Sequence, residues 1–152
     1  MNSRSYFVFM QMELKTFPAT VDSLDPLRQY VKDVSQQAGL DKKATYNLIL
    51  AVDEIATNII LYGYEKAGLE GFIDVLTEVS DNRLKVVFED DAAPFDPTTR
   101  ELPDEEDFDL PLEERPIGGL GIYLTINGVS EFSYEYINNR NRNIFEVDIK
   151  SP

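Results

Sequence analysis

The chain contains no cysteine and no histidine. The first absence excludes disulfides, thiol nucleophiles and cysteine-ligated metal, and it agrees with a reducing compartment. The second removes the commonest general base and the commonest zinc ligand. Acid–base chemistry must then fall to Asp, Glu, Lys or Tyr, and any metal must be a hard cation on oxygen ligands. Basic residues are also scarce: 14 Lys and Arg stand against 28 Asp and Glu, a net charge of −14. Such a chain repels a phosphate backbone, so no direct nucleic-acid binding is expected. The charge suits simple solubility or a basic protein partner. No run approaches the ~20 apolar residues of a membrane span, and the early apolar run "YFVFM" is too short for the core of a secretion signal. The expectation is a cytoplasmic protein with no membrane partner.

What is present describes one domain over residues 1–152: the length and the 43% hydrophobic content suffice for a single core. The charge is uneven. Residues 96–115, "DPTTRELPDEEDFDLPLEER", hold nine acids, two arginines and three prolines, so this short stretch carries half the net charge. It lacks periodicity and reads as a long loop.

Hydrophobic spacing supplies the elements. "MQMEL" (10–14) alternates, which places a strand within 6–17. In "SLDPLRQYVKDVSQQAGL", Leu24, Leu27, Val31, Val34 and Ala38 recur at helical spacing, with Ser23 placed to cap the start and Gly39 the end. A second helix runs from about 42 to 64 behind Asp41 as N-cap. "FIDVLTEV" (72–79) and "RLKVVFED" (83–90) alternate around the turn "SDN", a β-hairpin. "GGLGIYLTING" (118–128) reads as a glycine turn opening a short helix, and "SEFSYEYI" (130–137) and "RNIFEVDI" (142–149) are strands around "NNRN". Tight turns forbid parallel neighbours. The fold class is therefore an α/β two-layer sandwich, a mostly antiparallel mixed sheet with about three helices on one face.

Three constellations carry chemistry. On the second helix, Glu54 and Asn58 form a polar stripe with Asn47 beside a broad apolar arc. A carboxylate there is either solvated at the helix rim or paired with an arginine, or it points into a cleft with the amide. In a cleft, the carboxylate can accept a proton and the amide oxygen can bind Mg²⁺. In "EDDAAPFDP" (89–97), a strand ends in acids before a turn. Such an Asp can present its carboxylate to an exocyclic amine, although acidic strand ends are also common in ordinary loops. In "IGGLGIYL", Gly118, Gly119 and Gly121 precede apolar helix-like sequence. That arrangement is a tight turn or an anion site of exposed N–H groups. It is neither a Rossmann nor a Walker A pattern.

Taken in order, "DEIATNIILYGY", "DDAAPFDP" and "GGLGIYL" resemble the N box and the two glycine boxes of the GHKL ATP-binding fold. Within it the chain is most similar to the small anti-sigma-factor serine/threonine kinases, the RsbW-like proteins, over roughly 12–150. The resemblance implies ATP and Mg²⁺ as cofactors. It implies Glu54 as general base, Asn58 as Mg²⁺ ligand and Asp90 as acceptor from the adenine amino group. Ala92 and Pro94 would lie in the first glycine box, and Gly118, Gly119, Leu120 and Gly121 in the second, against the phosphates. The acidic stretch 96–116 falls where the family has its ATP lid. Partners implied are a sigma factor and a small STAS-type antagonist protein, the substrate for phosphorylation, and the chain could be a homodimer. The alternative function is a catalytically weak or inactive module that sequesters a protein partner.

The chain departs from the family in three places. Ala92 and Pro94 stand where glycine is usual; an alanine disfavours positive φ, which would weaken adenine binding or reshape the loop. Leu61, seven residues after Glu54, replaces a frequent cation. The lid is strongly acidic, so its carboxylates must point away from a triphosphate or be covered by a partner.

Overall fold

The computed structural model describes residues 11–99 and 127–150. Five strands form one sheet: β1 (Gln11–Pro18), β2 (Phe72–Val79), β3 (Arg83–Asp90), β4 (Glu131–Ile137) and β5 (Arg140–Asp148). Their order is β1-β2-β3-β5-β4, and every neighbouring pair is antiparallel. The expected mixed character is thus absent among the described strands. Two helices, α1 (Leu24–Ala38) and α2 (Lys42–Asn58), lie in sequence between β1 and β2. Of the third expected helix only Asn127 and Gly128 are described, and both are helical.

Alternation decides which face is covered. Ile73 and Val75 of β2, Leu84, Val86 and Phe88 of β3, and Phe145 and Val147 of β5 join Leu27 and Val31 of α1 and Leu48, Val52 and Ile55 of α2 in one core. Phe88 and Phe145 meet edge to face at 5.5 Å between ring centroids, a geometry worth ~0.5–1.5 kcal/mol beyond the area buried. Val87 and Ile144 pair on the opposite face and stay outside this core. The α/β two-layer sandwich is therefore as the patterning predicts.

The helix ends mostly follow their residues. Asp41 Oδ1 accepts the Ala44 N–H at 2.8 Å, the N-cap bond expected of it. Gly39 closes α1 at φ 92°, and Leu40 N–H reaches back to the Ser35 carbonyl at 3.0 Å. Ser23 differs: it sits in a 3₁₀ turn (Val21–Ser23) with helical φ and ψ, and its hydroxyl makes no cap bond.

The second helix does not keep its pitch to residue 64. From Ile59 to Glu65 it widens into a π-helix, visible in the bonds from Lys66 N–H to the Leu61 carbonyl at 2.8 Å and from Leu69 N–H to the Tyr64 carbonyl at 2.9 Å. These i→i+5 closures mark π geometry, which recurs at functional sites. Lys42–Glu65 is also long and apolar enough, by composition, to cross a membrane. In this fold it is the central core helix, with Leu48, Ala51, Val52, Ile55, Ala56 and Ile60 buried.

Between β4 and β5 the turn is shorter than "NNRN" suggests. Asn138 and Asn139 take φ of 55° and 61°, the left-handed pair of a two-residue hairpin turn that asparagine tolerates. Arg140 and Asn141 consequently belong to β5.

Candidate functional site

A cavity of about 260 Å³ opens where the π-turn meets the end of β3 and the start of β5. Asn58, Tyr62 and Gly63 line it from the helix, Asp90 and the loop Ala92–Phe95 from the strand end, and Asn141 from β5. Four of the residues singled out in the sequence thus meet here: Asn58, Asp90, Ala92 and Pro94. Glu54 lies one helical turn before Asn58, half-buried, and is not part of the cavity lining. Gly118, Gly119, Leu120 and Gly121, and the acidic stretch from residue 100 onward, lie outside the described residues.

Two buried polar atoms in this lining have no hydrogen-bond partner among the described residues: Asp90 Oδ2 and Asn58 Nδ2. Leaving a buried polar group unpaired costs ~1–3 kcal/mol: Asp90 Oδ2 is an acceptor without a donor, and Asn58 Nδ2 a donor without an acceptor. The other Asp90 oxygen is well held. Oδ1 accepts the Ala92 N–H at 2.9 Å and Asn141 Nδ2 at 3.0 Å. Burial pushes the Asp90 carboxyl above its ordinary pKa, an effect that these two hydrogen bonds partly offset.

The loop after β3 is clamped from three sides. Asp91 N–H donates to the Tyr64 hydroxyl at 2.9 Å, and Tyr64 comes from the π-turn. The Asp91 carboxylate accepts from Arg140 Nε at 2.8 Å, while the same guanidinium binds Glu89 at 2.9 Å and Asp74 at 3.0 Å. Asn141 holds the stretch beyond. Sequence reading missed Asn141, Tyr64 and Gly63. A signal for Asn141 existed: alternation places it on the face of Phe145 and Val147, where an unexplained polar residue is costly.

A sequence profile of the histidine kinase-like ATPase domain matches residues 17–146. The chain belongs to that family. Among its relatives, serine-protein kinase RsbW of Staphylococcus aureus strain bovine RF122 is 29% identical over 129 residues, 82% of this chain and 76% of the relative. The RsbW of Staphylococcus aureus strain JH9 shows the same identity and coverage. In fold the chain is similar to the solved RsbU and RsbW domains of Rv1364c from Mycobacterium tuberculosis, with a TM-score of 0.64 at 15% identity. That match covers 93% of this chain and 33% of the solved one, so this chain spans about a third of the solved chain's length.

The stretch that resembles the first glycine box carries Ala92 and Pro94 without a left-handed backbone. Ala92 does not adopt positive φ: Asn138 and Asn139 are the only non-glycine residues that do so among those described. The alanine therefore carries no left-handed strain. The Ala92 methyl is admitted by Gly63, since a Cβ built on Gly63 would lie 3.0 Å from the Ala92 Cβ. Gly63→Ala should therefore overpack this contact and destabilise the fold by ~1 kcal/mol net of the gain in helix propensity. Adding Ala92→Gly should relieve the clash, giving a coupling of about 1 kcal/mol or more in a urea-unfolding double-mutant cycle. Strict additivity would show that the two residues do not share this space. Leu61 lies within the π-turn and is not part of the cavity lining, so its angular relation to Glu54 is not that of a regular helix. Lys66 Nζ lies 4.4 Å from the ring centroid of Tyr62, a residue that lines the cavity, while Lys66 itself is exposed and outside the lining.

Proposed function

We propose that this chain is a Mg·ATP-dependent protein serine/threonine kinase that acts as an anti-sigma factor and phosphorylates a small STAS-type antagonist protein. The observation that carries the nucleotide reading is the buried, unpartnered Asp90 Oδ2 in a cavity within the family-matched region. Its acceptor chemistry fits the exocyclic amine of adenine, which donates N–H, and a ring-sized space lies beside it. The kinase reading is supported by the relatives named serine-protein kinase.

In this reading Asn58 supplies an amide oxygen to Mg²⁺. No cluster of three or more acidic residues that could hold a metal exists among the described residues. Held mainly by phosphate oxygens and water, the ion would supply charge neutralisation on the phosphates. Glu54, one turn along the helix, takes the proton from the attacking hydroxyl. Gly118, Gly119, Leu120 and Gly121 would bring backbone N–H groups to the phosphates, with 96–116 as the lid. A cytoplasmic location, and a sigma factor as the bound partner, belong to the same proposal.

Nucleotide-dependent thermal stabilisation tests it. With Mg·ATP at 100 times its dissociation constant the fold gains about 2.7 kcal/mol, so Tm should rise by ~5–10 °C for a chain of this size. No rise at millimolar Mg·ATP would refute nucleotide binding and leave the alternative, a module that regulates by sequestering its partner.

A further inference from the structure

Asn141 is 3% exposed and sits on β5 opposite Asp90. Its amide nitrogen donates to Asp90 Oδ1 at 3.0 Å, to the Ala92 carbonyl at 3.1 Å and to the Ala93 carbonyl at 3.2 Å. Its oxygen accepts the Phe95 N–H at 3.1 Å and the Tyr134 hydroxyl. A carboxamide has two N–H donors and two acceptor lone pairs, so every one is used inside the protein. The amide orientation follows from these partners: turned over, its oxygen would face three acceptors and its nitrogen would face the Phe95 N–H.

We propose that Asn141 is a positioning residue for base recognition, which holds Asp90 by one oxygen so that the other is left for the base, and folds the Ala92–Phe95 loop around its own side chain. The inference rests on the nucleotide reading above and adds a residue that reading does not contain. With no hydrogen-bonding capacity left over, Asn141 acts on the ligand through Asp90. A carboxylate free to rotate could turn both oxygens toward its own loop; the Asn141 and Ala92 bonds to Oδ1 together prevent that. The loop also gains a shape that glycines would otherwise permit. Ala92 and Ala93 direct their carbonyls to one amide, while Phe95 directs its N–H to that amide's oxygen. A side chain on β5 thus sets the backbone of a turn that contains no glycine.

The test compares Mg·ATP with Mg·ITP, whose base lacks the exocyclic amine, by calorimetric titration of the full chain. The unaltered chain should prefer ATP. Asn141→Ala should weaken ATP by ~10- to 100-fold, the value of a charged hydrogen bond, and leave ITP within about threefold, so that base discrimination collapses. Tyr134→Phe removes one donor to Asn141 at the rim of the network and should lower the ATP-to-ITP ratio in the same direction by ~3-fold or more. It serves where Asn141→Ala does not fold. A purely structural role for Asn141 would weaken both nucleotides alike. An unchanged ratio in a folded variant overturns the inference alone. An unaltered chain that binds neither nucleotide overturns the nucleotide reading, and this inference with it.

Discussion

Asp90→Asn is expected to lower Mg·ATP affinity by ~100-fold or more, the loss of a charged hydrogen bond with a donor set against the adenine amine. It should do so without lowering thermal stability. Asp90 is buried, and its pKa is raised on folding, chiefly by loss of solvation. The folded state therefore binds its proton more tightly than the unfolded state. Stability contributed by this group is present below the unfolded carboxylate value and falls as pH rises through Asp90's raised value. Wherever the carboxyl is ionised, its burial is a net cost that the neutral amide removes. The asparagine oxygen can still accept from the Ala92 N–H and Asn141. Affinity and melting temperature at pH 7 should thus move apart: affinity sharply down, Tm level or up. A parallel fall in both would make Asp90 a structural residue. The unaltered chain should also lose ATP affinity as pH drops through Asp90's raised pKa, because a protonated oxygen no longer offers a charged acceptor.

Glu54→Gln should have the opposite profile. Mg·ATP affinity is expected to change by less than about threefold, because Glu54 stands outside the base cavity, while turnover falls by ~10²- to 10⁴-fold, the usual worth of a general base. Glutamine keeps the shape and polarity of the side chain but cannot take a proton. Hydrolysis of labelled ATP by the chain alone, with water as acceptor, measures turnover without knowledge of the protein substrate. Loss of binding would mean that Glu54 holds the fold or the nucleotide. Undiminished turnover would place the base elsewhere.

Both residues stand out in the sequence by spacing and family likeness, their roles remain proposals, and much of the fold was legible from elementary patterning. The hairpin Phe72–Val79 and Arg83–Asp90 follows from alternation and a turn, and α1 follows from the repeat of Leu27, Val31 and Val34. What escaped lay in long-range geometry. A regular projection of the second helix cannot anticipate the π-turn at Ile59, because its apolar residues fit either pitch and tertiary contacts choose. That turn delivers Tyr62, Gly63 and Tyr64 to the site. Asn141 was hidden by reading "NNRN" as one loop, although two left-handed asparagines suffice to reverse the chain. The neighbour of Ala92 is likewise beyond sequence reach: the methyl packs against Gly63, 29 residues earlier on the π-turn.

Asp90 Oδ2 is expected to receive the adenine amine. A crystal structure of the chain with Mg²⁺ and a non-hydrolysable ATP analogue tests it most directly. The exocyclic nitrogen should lie within hydrogen-bond distance of Asp90 Oδ2, and the base between Tyr62 and the Ala92–Phe95 loop. A base bound elsewhere, or one that leaves Asp90 Oδ2 without a partner, would contradict it.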